Sequence, residues 1–517
     1  MTRRPLIALI AVMFAALVAT PACSPGGGES GPADPGEAAG ESVGADEARA
    51  ALAAFGLDAQ GRVSWESRSQ DGAAFTFETV TMSDDESAFT AARLVLAEPR
   101  LTPDGPVFQR FEVSDGSMNA ADGLRTEVDR LTIVDAGPDL GAALAAALRG
   151  DADGEADGEG PAGGGTWRFA EMSVEGLTVS GVNETGRPLE LTLSAGSASG
   201  ADGESIEAVR LDQLSFASTD AQGAPVSVAL AALSVDGLAA ELAGLSQGGP
   251  AAPAAPLAGA LTPNTQYERF SLSGLEVRAS GLRAVMPGLS GVVEAVGESR
   301  MISRTNMERL SITADPEAGD QGRRFAQALD QLGYEAMDFS MANAVAYDLE
   351  ADRVQTIEQN YLRLENGFTL RFEQAARGAR AYAEAYEAWL EQAGGEGSAA
   401  PPAEVFEPLR IERMVISLED QSLLDRSLGV LAEMQGVTPE QLRMQAGAYV
   451  GLGAAFAGEV VPPRMLSELQ AALTGFVGEG GTLTATLAPP EPVSMAALMN
   501  GGGDAETLGL TVTHERP

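Results

Sequence analysis

One short phrase recurs along this chain and limits what it can fold into. It reads Gln109-Arg110-Phe111-Glu112-Val113, Asp129-Arg130-Leu131-Thr132-Ile133, Glu268-Arg269-Phe270-Ser271-Leu272, Glu308-Arg309-Leu310-Ser311-Ile312 and Glu412-Arg413-Met414-Val415-Ile416. Each copy is a polar residue, an arginine, then apolar residues two apart. Trp167-Arg168-Phe169 is a looser copy that leads into Met172, Val174, Leu177 and Val179. Alternation at period two puts successive side chains on opposite faces of an extended chain, so each copy predicts a strand with one buried face. Val63 with Trp65, Phe75 with Phe77 and Leu94 with Leu96 alternate in the same way. The copies begin at irregular intervals, which excludes a solenoid of fixed period. The prediction is a β-dominant α+β fold: one or more long antiparallel sheets of repeated amphipathic strands, helices packed on one face, and more helix toward the C-terminus.

The arginines of the phrase have two readings, an anion-binding row or a solvent face paired with carboxylates of neighbouring strands. The chain has 74 acidic and 33 basic residues, so pairing is the expectation.

Helical spacing occupies Asp46 to Leu57, Asp139 to Arg149, Leu230 to Leu245, Arg323 to Leu332 and Phe372 to Gln392. The last of these sets Tyr382, Tyr386 and Trp389 on one stripe, which reads as core. From Asp420 the pattern turns helical, with a capped start at Thr438-Pro439-Glu440-Gln441 and a second start at Pro462-Pro463. Thr482 to Leu487 alternates as a strand. Tyr361 to Phe372 reads as a hairpin. A three-residue loop, Glu365-Asn366-Gly367, pairs Leu364 with Phe368 and Leu362 with Leu370 on one apolar face, with Gly367 taking positive φ.

Breaks fall at the acidic glycine run 150–165, the Ala/Pro/Gly stretch 248–264 and Gly394 to Ala403. They suggest a signal segment 1–22, a tether 23–45, a β-rich region with helices 46–150, a β-rich repeat region 165–247, a mixed region 262–393 and a strand-then-helix region 404–517 with C-terminal strands.

The N-terminus supplies an address. Arg3 and Arg4 precede an apolar run of 14 residues, Leu6 to Ala19, and Thr20-Pro21-Ala22-Cys23 follows at cleavage distance. Cys23 is the only cysteine. The arrangement resembles that of bacterial lipoproteins, in which the cysteine after the cut becomes the acylated first residue. Ala22 and Cys23 match that family's lipobox, whereas Thr20 and Pro21 depart from it. The same bond suits ordinary signal peptidase, with Thr20-Pro21-Ala22 as a small-x-small site and Cys23 left as a free thiol. The resemblance implies lipidation at Cys23 and attachment by an N-terminal lipid anchor to the periplasmic face of the envelope, at the outer membrane. Residues 24–45 are Ser, Pro, Gly, Ala and acids with one β-branched residue, Val43, too poor in apolar surface to fold.

Charge and composition narrow the function. The formal charge is −41, and cleavage before Cys23 takes away two arginines. Such a surface repels nucleic-acid phosphates and anionic headgroups, which excludes nucleic acid as a partner. The single histidine is His514, near the end of the chain where fraying is expected. Ser-His-Asp, Cys-His and histidine-rich zinc chemistry are therefore not expected. Gly244-Leu245-Ser246-Gln247-Gly248 has nucleophile-elbow spacing but follows a helical pattern and precedes a Pro/Gly stretch. Gly158 to Gly163 has dinucleotide spacing within an acidic run. Asp151, Asp153, Glu155, Asp157 and Glu159 alternate like calcium ligands, yet Ala156 stands where an EF-hand needs glycine. No cofactor, metal or catalytic residue is assigned.

Repeated amphipathic strands with helices laid against them, behind a lipoprotein address, resemble the AsmA-type and related lipid-handling proteins of Gram-negative envelopes over about half of the chain. The phrase Gly481-Thr482-Leu483-Thr484-Ala485-Thr486-Leu487-Ala488-Pro489 is similar to uncharacterised secreted proteins of alphaproteobacteria. The first resemblance implies a non-catalytic envelope lipoprotein whose apolar sheet face meets a lipid or another hydrophobic ligand. The alternative is an envelope scaffold that binds a protein partner and no small ligand.

Overall fold

Antiparallel strands of up to sixteen residues dominate the computed structural model. It describes residues 43–83, 87–120, 123–150, 167–182, 186–203, 205–220, 223–239, 267–297, 299–392, 401–457, 463–499 and 508–517. The architecture is the β-dominant α+β class that the alternation predicts. The described residues form two compact units, one running through Gly274 and the other from Leu275 to Pro517.

The first unit opens on helix α1 (Ala45–Ala51) and a 3-10 turn, Leu52–Phe55. Strands β1 (Val63–Ser64), β2 (Ser67–Asp71), β3 (Ala74–Ser83), β4 (Ser87–Ala97), β5 (Arg100–Thr102), β6 (Gly105–Ala120) and β7 (Arg125–Ala136) follow, then helix α2 (Pro138–Arg149). After it come β8 (Arg168–Val182), β9 (Pro188–Asp202), β10 (Ser205–Thr219), β11 (Pro225–Ala239) and β12 (Arg269–Ala279), within which the chain leaves the unit. From β6 to β11 each strand pairs with the next in sequence, and β3–β4–β6 extends the order.

Two seams cross these strands. Along the first, Thr79, Asp115, Gly176, Gln213 and Gly274 take positive φ in β3, β6, β8, β10 and β12. The strands between them contribute Ala92, Asp129, Ser194 and Ala231, and without a change of register the ladder skips the first three on both sides and Ala231 on its β10 side. The second seam stands six positions along each strand. There Glu98, Asp135, Gly200 and Gly237 take positive φ, opposite Gln109, Ala170 and Glu207. At each crossing two successive side chains point outward, as irregularities in a ladder do when they re-aim a strand.

Inward residues are therefore spaced alternately two and three apart: Phe108, Phe111, Val113, Gly116 and Met118 in β6, and Val128, Leu131, Ile133 and Ala136 in β7 are all buried. Between the seams each strand sends in two residues, and these meet across the sheet as Leu94 with Val113, Val113 with Leu131, and Leu131 with Val174. The polar-arginine step of the repeated phrase is the outward step at a seam. Gln109 and Asp129 mark it here. In the second unit, Glu308 and Glu412 sit where the register shifts by one residue.

Helix α2 buries Leu140, Leu144 and Leu148 beside Phe55, whose ring meets Phe108 edge-on at 6.0 Å. No described helix packs on β9 to β11, yet Leu193, Ala198, Val209 and Leu211 are buried.

This spacing explains a correction. Leu230 to Leu245 was expected to be helical, but β11 carries the chain to Ala239, with Leu230, Leu233, Val235 and Leu238 opposite Leu214, Leu211, Val209 and Ile206. Steps of three, two and three imitate helical spacing over so short a window.

The second unit contains β13 (Leu282–Ala295), β14 (Arg300–Ala314), helix α3 (Asp320–Gln331), β15 (Met337–Asp348), β16 (Arg353–Thr356), β17 (Tyr361–Leu364) and β18 (Phe368–Arg377). Helix α4 (Ala379–Gln392), β19 (Arg410–Asp420), helices α5 (Leu423–Gln435), α6 (Pro439–Ala457) and α7 (Pro463–Glu479), β20 (Gly481–Leu487), β21 (Val493–Ser494), helix α8 (Met495–Met499) and β22 (Leu510–Glu515) complete it. The helix expected from Phe372 starts later, because β18 runs to Arg377 and Gly378 turns the chain at φ 80°. The capping box forms as predicted: Gln441 N donates to Thr438 Oγ1 at 3.3 Å and Thr438 N to Gln441 Oε1 at 3.0 Å.

The hairpin has the predicted register, Leu364 with Phe368 and Leu362 with Leu370. Its positive φ belongs to Asn366, not Gly367. Gly367 is required for space instead, since a Cβ there would stand 2.7 Å from Leu364 Cδ2 and 2.8 Å from Tyr334 Oη.

Four of the five phrase arginines are paired and exposed: Arg110 with Glu112, Arg130 with Glu175, Arg309 with Asp338 and Arg413 with Glu373.

Candidate functional site

The second unit gathers its alternating residues on one apolar face. Cross-strand pairing sets Phe372 beside Ile416, Ile416 beside Ala485, and Ala485 beside Val512. One step along, Leu370, Leu418, Leu483 and His514 form the next row, and Met414, Leu487 and Leu510 belong to the same face. Met301 and Tyr347, Ser303 and Val345, and Met307 and Met341 continue it through β14 and β15.

Helices cover this face at its margins. At one end α4 contributes the Tyr382, Tyr386 and Trp389 stripe, which joins Val345, Tyr347, Val354, Ala376, Leu409 and Ile411 in a cluster. Tyr382 lies over Phe406 with ring centroids 5.4 Å apart, so the stripe is core, as its spacing predicts. At the other end Leu329, Tyr334 and Leu364 pack with Phe325, Phe339, Phe368 and Leu423. Arg426 stacks over the Tyr334 ring at 4.5 Å, and Tyr334 Oη donates to Asn366 O at 3.0 Å. Helix α7 covers the edge strand through Phe476, edge-on to His514 at 6.4 Å.

His514 was expected to fray. It is held instead within β22, which pairs with β20, and its Nε2 meets Gly480 O at 2.7 Å. Strand pairing secures the terminus that its position alone would leave loose.

Between these margins the face stays partly open. Ile416 is 45% exposed although it stands in the middle of an apolar row, and Leu370, Phe372, Leu418 and Leu483 are half-buried. An aliphatic side chain left that exposed amid apolar neighbours is the mark of a surface that a ligand or partner covers.

Two tyrosine hydroxyls at this face stay neutral at ordinary pH. Burial, with Tyr386 second, pushes the Tyr382 hydroxyl up to about 12, and that hydroxyl has no hydrogen-bond partner among the described residues. Burial also raises Tyr347, whose hydroxyl donates to Asp352. Asn360 is buried and satisfied, accepting from Ala344 N and donating to Asn343 Oδ1, each at 2.7 Å. Among the described residues no group of three or more His, Cys, Asp or Glu is placed to hold a metal ion.

Cys23, the acidic alternation Asp151 to Glu159, the Gly158–Gly163 spacing and the Gly244–Gly248 elbow all lie outside the described residues. The open band around Ile416 was not singled out in the sequence. Its strands alternate visibly, but which alternating faces coincide depends on the register across four strands.

A protein-family model described only as an uncharacterized protein matches residues 361–515. That stretch runs from β17 to β22 and contains the band around Ile416. No curated protein matches the chain.

Proposed function

We propose that this protein is a non-catalytic cell-envelope lipoprotein, exported by residues 1–22 and acylated at Cys23. Its anchor lies at the periplasmic face of the outer membrane, and the half-open apolar face of its second unit takes a lipid chain or another hydrophobic ligand. The exposure of Ile416 within an otherwise apolar row carries this reading. Among the described residues helices cover only the margins of that row, so an acyl chain lying along Phe372, Ile416 and Ala485 would bury surface that water now touches.

The test is native mass spectrometry of the chain beginning at Ser24, with lipid extraction of the same sample. A stoichiometric lipid supports the reading. A clean mass that stays unchanged after incubation with envelope lipids overturns it.

One observation favours a second reading, an envelope scaffold. Met434 and Met444, in α5 and α6, are 78% and 69% exposed, and flexible thioethers suit a protein contact. In that case the same sample carries no lipid, and Met434→Ser with Met444→Ser loses a protein partner.

A further inference from the structure

On the opposite face of the second unit, strand pairing lines up charges of one sign. Arg353 stands directly across from Arg377, and Arg377 directly across from Arg410. The row continues to Asp348 on one side, itself opposite Arg300, and to Ser494 on the other. Paired strands lie about 4.8 Å apart, so the three arginine Cα atoms fall within about 10 Å. Like charges directly opposite one another destabilise a sheet.

Few counter-charges answer them. Glu412, the extra residue of the β19 bulge, meets Arg353 Nε at 2.7 Å and also pairs with Arg377. Among the described residues Arg410 has no carboxylate partner, and it is exposed. Asp348 is occupied in capping its own turn, accepting from Glu350 N at 3.1 Å and Ala351 N at 2.9 Å. Asp352 serves the other face, where it accepts from the Tyr347 hydroxyl and from Arg380 N. The next positions on the arginine face are Ala346, Gln355 and Ala375, which offer no acid.

We propose that Arg353, Arg377 and Arg410 form a docking row for the phosphates of an anionic phospholipid surface. A cradle for one free anion would need donors converging on one empty point, but Arg353 and Arg377 converge on Glu412. Side-by-side guanidinium groups at the strand ends suit a plane of headgroups. The chain's overall charge argues against anionic membranes; this row is a local exception to it. The inference is independent of the acyl anchor and of the apolar band, which lies on the other face.

The experiment is co-sedimentation of the unacylated chain beginning at Ser24 with vesicles of phosphatidylglycerol and phosphatidylcholine, or of phosphatidylcholine alone, at low and at high salt. Binding is expected only with phosphatidylglycerol, weakening with salt. Arg377→Gln with Arg410→Gln should weaken it about tenfold or more. Arg443→Gln, which removes the pair with Asp425, should leave it unchanged. Single Arg410→Gln should weaken it as well while melting no lower than the parent, so a failure of the double variant to fold still leaves a decisive measurement. Absence of vesicle binding, equal binding by the arginine variants, or binding of inorganic pyrophosphate without binding of vesicles would each overturn the proposal.

Discussion

The carboxylate of Asp129 lies over Gly176, in the space that a Cβ on that glycine would occupy. Gly176 takes φ 63°, and the pair forms one crossing of the first seam. Crossings of the second seam repeat the arrangement with other residues: Gly200 faces Glu207, and Gly237 faces Glu268. Every second strand yields a left-handed residue, and the strand beside it lays a side chain across.

Gly176→Ala should therefore lower stability by about 1–2 kcal/mol, through the strained φ and the crowding of Asp129. At the same seam Thr79 holds φ 54° with a β-branched side chain, so Thr79→Gly should be neutral or gain up to about 1 kcal/mol. Ala92 is directly across from it with ordinary φ, and Ala92→Gly should cost about 0.5–1 kcal/mol. Urea unfolding of the three variants checks the set. A loss in Thr79→Gly equal to that in Ala92→Gly would remove the seam.

Glu276 supplies a pH-dependent term. Hydrogen bonds from Arg283 and Arg278 hold its carboxyl down to about 2, against the burial that opposes them. Arg283 Nε donates to it at 2.8 Å and Arg278 Nε at 2.9 Å. Because the folded value is depressed, the stabilisation is complete above the unfolded value near 4.5 and is lost as pH falls from there toward 2. After allowance for solvent screening it amounts to about 1–2 kcal/mol. Glu276→Gln should lose that stability at pH 7 and converge with the parent near pH 2, as measured by denaturant unfolding at each pH.

Ile416→Asp separates ligand binding from folding. The side chain is already half in water, so the substitution should cost about 1 kcal/mol or less of stability. Placing a carboxylate in the middle of the apolar row should abolish retention of any co-purifying lipid, read by mass spectrometry. Retention at the parent level would put the ligand elsewhere.

Gly367→Ala should disrupt the hairpin without touching its positive-φ position. Leu364 and Tyr334 would have to move, and the carbonyl of residue 367 receives the backbone N–H groups of Gln421, Ser422 and Leu423. A cost of about 1–3 kcal/mol is expected, with faster amide exchange at those three residues as the specific readout.

The elements that alternate cleanly were legible in the sequence. Leu362 with Leu370 and Leu364 with Phe368 follow from loop length, and the Thr438 box follows from two side chains that satisfy each other locally. The strand β11 was not legible, because its inward residues at 230, 233, 235 and 238 step by three, two and three. The repeated phrase itself was visible, but its meaning was not: Asp129-Arg130 marks an outward step only because Asp115 and Gly176 turn their own strands beside it.

Short-range chemistry thus determined the strand class, the caps, the hairpin register and the pairing of most phrase arginines, since each depends on neighbours within a few positions or on an excess of acid. Tertiary structure alone decided which faces coincide. The seams, the open row through Phe372, Ile416 and Ala485, and the line of Arg353, Arg377 and Arg410 each arise from residues tens of positions apart. Register across several strands brings them together, and a slip of one residue would send every one of those side chains to the other face.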